Sequence, residues 1–181
     1  MSKYVVLLRG INVGGKNKLP MAKLKTCLEE MGYTNVITYI ASGNVVLESR
    51  KSATTISSEI EKILPQRFKL DSELIKVLVL SDNQLRNIIK NKPIGFGDTP
   101  DLYYSDVIFL IGVSEANVMT VFDPKEGVDI IWQGKRVIYS QRLGELRTKS
   151  RLSKIITTPI YKSMTIRSWN TVTKLLDLLD N

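Results

Sequence analysis

Two β-rich stretches, residues 35–40 and 44–48, are separated only by Ala41-Ser42-Gly43. That spacing constrains the fold more than any other feature of the chain. Three residues make a turn and leave no room for a helix, so the two stretches read as an antiparallel hairpin. A doubly wound nucleotide-binding sheet would need a helical crossover at this point. The surrounding pattern agrees with the hairpin. Residues 4–8 are an apolar run suited to a central strand buried on both faces. Residues 19–31 have helical spacing, with Pro20 near the start and Gly32 as a stop. Residues 52–64 put Ile56, Ile60, Ile63 and Leu64 on one side of a second helix, which Pro65 is predicted to end, and residues 74–80 form another strand. Strand, helix, strand, strand, helix, strand is the split βαβ, ferredoxin-like order, with both helices on one face of an antiparallel sheet.

The second half is less regular. Asp82 can cap a helix reaching about Lys90, and residues 91–106 are a loop rich in Pro, Gly and Asp. A strand is predicted over 107–111, a short helix over 114–122, and a hairpin over 129–132 and 136–140. Helices over 150–156 and 168–179 close the chain. The expected class is α+β: a ferredoxin-like βαββαβ unit over residues 1–80, then a second small α+β unit over 81–181 packed on the first. One continuous domain is the alternative. The 181 residues suffice for either, and no internal repeat stands out.

Two compositional facts exclude whole classes of chemistry. The chain has no His and one Cys. No imidazole can serve as base, proton shuttle or metal ligand, and neither a disulfide framework nor a cysteine zinc site can be built. Cys27 lies on the apolar stripe Leu24–Cys27–Leu28–Met31 and reads as a small buried hydrophobe. No metal or other cofactor is expected. The apolar stretch near the start is too short for a signal peptide, and no run reaches the ~18–20 residues of a membrane span. The expectation is a cytoplasmic protein with no membrane partner.

The net charge of +8 is unevenly spread. Residues 1–28 carry six bases and no acid; residues 134–174 carry ten bases and one acid, Glu145. Brought together, these ends would make one positive surface that attracts anions; scattered solvated lysines are the other reading. The first basic stretch contains a loop, Gly10-Ile11-Asn12-Val13-Gly14-Gly15-Lys16-Asn17, with the G-x-x-x-x-G-K part of a phosphate-binding P-loop. Asn17 stands where Ser or Thr should hold Mg²⁺, and Lys18-Leu19-Pro20 postpones the helix whose N–H groups would face the phosphates. The glycines also have a purely conformational reading, as turn formers at positive φ. RNA-recognition motifs share the ferredoxin-like order, but their basic–Gly–aromatic pattern on the central strands is missing here.

Three separated motifs, LLRGINVGGKNKLPM at 7–21, TYIASGNVV at 38–46 and IRSWNTVTKL at 166–175, together resemble an uncharacterised bacterial family, the domain of unknown function numbered 1697. The resemblance implies an α/β protein with a ferredoxin-like first half, and no established activity. Ser168 stands where that family's third motif typically has Asn. Trp169, on the stripe Trp169–Val172–Leu176–Leu179, reads as an anchor of the last helix. The motifs hold small polar and basic groups of the kind that grip an anion: Arg9, Asn12, Lys16, Ser42, Asn44, Arg167, Asn170, Thr171 and Lys174. Gly14 and Gly15 would add backbone N–H groups. Segment 142–154 contributes Arg147, Lys149, Ser150 and Arg151. The sequence thus leads to a basic cleft that binds a phosphate-bearing ligand, nucleotide or nucleic acid. An enzyme acting on a phosphorylated small molecule and a ligand-free interaction module remain as alternatives, and a homo-oligomer stays open.

Overall fold

In a computed structural model the protein is described over residues 1–72 and 74–181. The chain divides into two compact units: Met1–Arg86 with Lys174–Asn181, and Asn87–Thr173. The first unit runs β1 (Ser2–Leu8), α1 (Met21–Glu30), β2 (Thr34–Tyr39), β3 (Asn44–Ser49), α2 (Ala53–Arg67) and β4 (Val77–Ser81). Its sheet has the order β2-β3-β1-β4, antiparallel throughout. This is the ferredoxin-like arrangement that the hairpin implied.

Side-chain alternation explains how the sheet is covered. Tyr4, Val6 and Leu8 of β1 face a core completed by Leu24 and Leu28 of α1 and Ile56, Ile60 and Leu64 of α2. Val5 and Leu7, on the other face, are also fully buried. The returning segment Lys174–Asn181 belongs to this unit, and there the Lys3 ammonium donates to the Leu179 carbonyl. A cation thereby meets a helix C-terminal carbonyl, where the helix dipole favours it. Cys27 is buried, and burial pushes its thiol above the usual range. Pro65 does not end α2, which continues to Arg67. The proline sits exposed in the last turn. There its missing N–H removes one bond from a helix about to stop, and Phe68 N–H still bonds the Leu64 carbonyl at 2.9 Å.

The helix α3 (Asp82–Lys90) leads to the second unit, where β5 (Tyr103–Leu110), α4 (Glu115–Met119), β6 (Asp129–Gln133), β7 (Val137–Leu143) and β8 (Met164–Ser168) precede α5 (Trp169–Asp180). Its sheet order is β6-β7-β5-β8, again antiparallel. Counted within the unit, the first strand lies between the third and fourth, and the second lies outside the third. Both sheets therefore share one strand order. Three short 3-10 segments, Gly144–Lys149, Leu152–Thr157 and Pro159–Ser163, stand where the first unit has α2. The helix predicted over 150–156 is thus the 3-10 segment Leu152–Thr157, which stops at Thr158, where the following proline disfavours a helical residue.

Strand β8 escapes the sequence pattern. It turns Met164 and Ile166 toward the core of this sheet and buries Thr165 and Arg167 on its other face, so its apolar alternation spans only two positions, too few to mark a strand in the sequence. Ile108, Leu110, Val118, Ile138, Ile155 and Met164 form the core on one face of this sheet. Off the other, Phe96 packs edge-on against Trp132, Tyr139 and Trp169, at centroid distances of 6.0, 5.0 and 5.2 Å. Trp169 is thus an anchor within the second unit. Further along α5, the buried positions are Val172, Leu175 and Leu179. Among the described residues, no helix is long and apolar enough to cross a membrane.

Candidate functional site: a pinned glycine loop and a basic aromatic patch

The loop after β1 is a miniature hairpin. Val13 and Lys16 form an antiparallel bridge, closed by the Lys16 N–H to the Val13 carbonyl at 3.0 Å. Between them Gly14 and Gly15 have φ of 58° and 77°, the left-handed pair that a tight primed turn requires. Two asparagines, also left-handed, hold this hairpin from inside. Asn12 Nδ2 donates to the carbonyls of Leu19 (2.9 Å) and Ala41 (2.7 Å), and its Oδ1 accepts from Leu19 N–H (2.8 Å). Asn17, 6% exposed, donates to the Gly10 carbonyl and to Ser72 Oγ, both at 3.0 Å. Its Oδ1 accepts from the N–H groups of Asp71 (3.0 Å) and Ser72 (2.9 Å).

The same bonds limit what the loop can offer a ligand. The N–H groups of Asn12, Lys16, Asn17 and Leu19 all donate within the protein, and that of Asn17 goes to the Asp71 carboxylate at 2.5 Å. An acidic side chain thus occupies a donor that a P-loop would aim at phosphate. Helix α1 begins only at Met21, behind Pro20. What projects outward is Val13, Gly14, Gly15, Lys16 and Lys18, all exposed. Arg9 is half-buried at the end of β1, its N–H bonded to the Lys76 carbonyl.

Turn 41–44 meets this loop, as the Asn12–Ala41 bond requires. Leu8 N–H donates to the Gly43 carbonyl at 2.8 Å. Asn44 is buried, and its Nδ2 donates to the Tyr39 carbonyl (3.1 Å) and to Ser42 Oγ (2.9 Å). Of the predicted ligand-binding residues, then, Arg9, Asn12, Gly14, Gly15, Lys16, Ser42 and Asn44 come together on the first unit. Asn12 spends its side chain on the backbone, and Asn44 donates to the Tyr39 carbonyl and the Ser42 hydroxyl. The hairpin's exposed face carries the charge.

Arg147 and Lys149 belong to the second unit, where both are exposed. Arg147 borders a residue that the sequence did not single out. Tyr104 of β5 stands opposite Arg142 of β7 in register. Its ring centre lies 6.0 Å from the Arg142 guanidinium carbon and 5.9 Å from that of Arg147. Arg147 Nη1 donates to the Tyr104 hydroxyl at 3.1 Å, while Arg142 Nη2 pairs with Asp106 Oδ2 at 3.2 Å. Burial holds the Asp106 carboxyl above its usual range, against the opposing pull of Arg142. Arg151 and Lys154, a turn further on, both engage Asp123. The missed signal was strand pairing: an aromatic at 104 and an arginine at 142 become neighbours only once β5 and β7 are in register.

Arg167 of the third motif is no surface residue. It is buried, and Nη1 donates to Thr165 Oγ1 and the Ile166 carbonyl, each at 2.8 Å. Burial pulls its pKa down to about 10. Thr171 N–H and hydroxyl meet Ser168 Oγ at the start of α5. Ser168 thus caps this helix, a role that the Asn typical of that position could also fill.

A family model described as Protein of unknown function (DUF1697) matches residues 1–139. Among solved structures, the chain is similar to the conserved bacterial protein SP0830 from Streptococcus pneumoniae. The two are 29% identical, with a TM-score of 0.83 and coverage of 98% of each chain. No curated protein matches the chain.

Proposed function

The chain belongs to the family of unknown function DUF1697, and we propose, on geometry and charge, that it binds the phosphates of a nucleic acid on an exposed basic surface of its first unit. The observation that carries this reading is the pinned hairpin. Asn12 and Asn17 devote their side chains to fixing a tip on which Lys16 and Lys18 stand in solvent. A loop so fixed presents its cations with little ordering left to do on binding, which favours affinity. Its exposed shape suits an extended polyanion better than an enclosed mononucleotide. The net charge of +8 adds long-range attraction of the same sign.

The test is binding of labelled oligonucleotide to the whole chain across a salt series, with Lys16→Glu/Lys18→Glu beside the native protein. Each lost phosphate contact should lower the slope of log affinity against log salt by about 0.7–0.9, so the double variant should bind more weakly with a flatter slope. No binding at low salt, or an unchanged slope, would sink the reading. Saturable binding of a mononucleotide alone would instead move the site toward Arg9 and favour a small phosphorylated ligand, with enzymology as the next step.

A further inference from the structure

We infer that Tyr104, on the second unit, is a stacking platform for an unpaired nucleobase, with Arg147 taking an adjoining phosphate. The identity of the ligand rests on the nucleic-acid reading above; the residues are different ones on a different unit. Tyr104 keeps 49% of its surface exposed although it sits on a paired sheet strand. The two guanidiniums lie at the outer edge of the ~6 Å range of cation–π contact. The ring is therefore bordered by positive charge and still open to solvent. Its orientation is fixed, because Arg147 Nη1 holds the hydroxyl and Arg142 is tethered to Asp106. Strand register sets the Tyr104–Arg142 pair, so no loop has to order for the platform to exist.

An aromatic face accepts a base of any sequence, provided that the base is unstacked, and arginines beside it add phosphate contacts. That combination selects single strands over duplex, in which base faces are hidden. The neighbouring cations sharpen the contrast. Arg151 and Lys154 share the Asp123 carboxylate, whereas Arg147 hydrogen-bonds the Tyr104 hydroxyl and has no carboxylate partner among the described residues.

Anisotropy of a labelled single-stranded oligothymidine and of a duplex of equal length would be measured with the full chain, Tyr104→Phe, Tyr104→Ala and Arg147→Ala, with circular dichroism as the folding control. Tyr104→Ala should weaken single-strand binding roughly 5- to 150-fold, as loss of one stacked base does, while Tyr104→Phe keeps it. Arg147→Ala should flatten the salt dependence by about one phosphate contact. Duplex binding should be indifferent to Tyr104→Ala. Single-strand affinity within about twofold of native in Tyr104→Ala, or an equal loss with duplex, overturns the platform. If binding is lost in Lys16→Glu/Lys18→Glu yet indifferent to Tyr104→Ala, the platform falls and the phosphate reading stands. No binding of either strand form removes both.

Discussion

Replacing Gly43 with alanine tests how the hairpin turn is joined to the loop. Gly43 has φ of 82°, and a Cβ added there would lie 2.8 Å from Leu8 Cβ and 3.0 Å from Ile11 Cδ1 and Cγ1. Both neighbours are buried, and Leu8 is tied to Gly43 itself through its N–H, so the collision cannot be relieved by a side chain swinging into solvent. Left-handed backbone for a residue with a Cβ costs about 1–2 kcal/mol. Overpacking adds about 1–3 kcal/mol, and the stiffer unfolded chain returns about 0.4–1 kcal/mol. The expected loss is about 1–4.5 kcal/mol. Gly15→Ala is the matched control: its φ is 77°, with nothing within 4 Å of the added Cβ, so it carries the backbone cost alone, about 0–1.5 kcal/mol. Urea unfolding followed by far-UV circular dichroism is the right assay. Both tryptophans, Trp132 and Trp169, lie in the second unit and would report poorly on the first. If the two variants differ by less than about 0.5 kcal/mol, the close approach of Gly43 to Leu8 and Ile11 is wrong.

Asn17→Ala removes a side chain that makes four hydrogen bonds across the loop and segment 71–72. It should destabilise the protein by about 2–4 kcal/mol and speed amide exchange in the loop; an effect confined to a few tenths would show that the loop is held elsewhere. Glu59 accepts from Lys51 and Tyr33, and these bonds, Lys51 first, hold its carboxyl below the usual range. A carboxylate with a depressed folded pKa stabilises above its unfolded pKa and loses that contribution as pH falls through the folded value. The Glu59→Gln variant should therefore show a flatter fall in stability in the acid range than the native protein. The half-exposed setting of the pair makes the difference small, and identical acid profiles would refute the assignment.

The local sequence sufficed wherever one residue type answers one geometric demand. Ala41-Ser42-Gly43 left space only for a turn, so the β2–β3 hairpin and the ferredoxin-like order followed from spacing. The Gly14-Gly15 pair required a tight turn, and Cys27 on an apolar stripe required burial. None of this needs knowledge of a distant residue. The site was legible only in outline: charge and glycines marked the loop, but its P-loop look proved to be the shell of a hairpin. Asn17 anchors that hairpin by reaching Asp71 and Ser72, some 54 positions along the chain. Tertiary structure alone decided three further things. Strand β8 offers only Met164 and Ile166 as apolar alternation and buries Thr165 and Arg167 on its other face, too short a pattern to reveal it. The second sheet repeats the strand order of the first without any repeat of sequence, because strand order is set by which edges pair, and many side-chain sets satisfy that. The Tyr104–Arg142 pair exists only through cross-strand register, which brings together side chains that no local pattern relates.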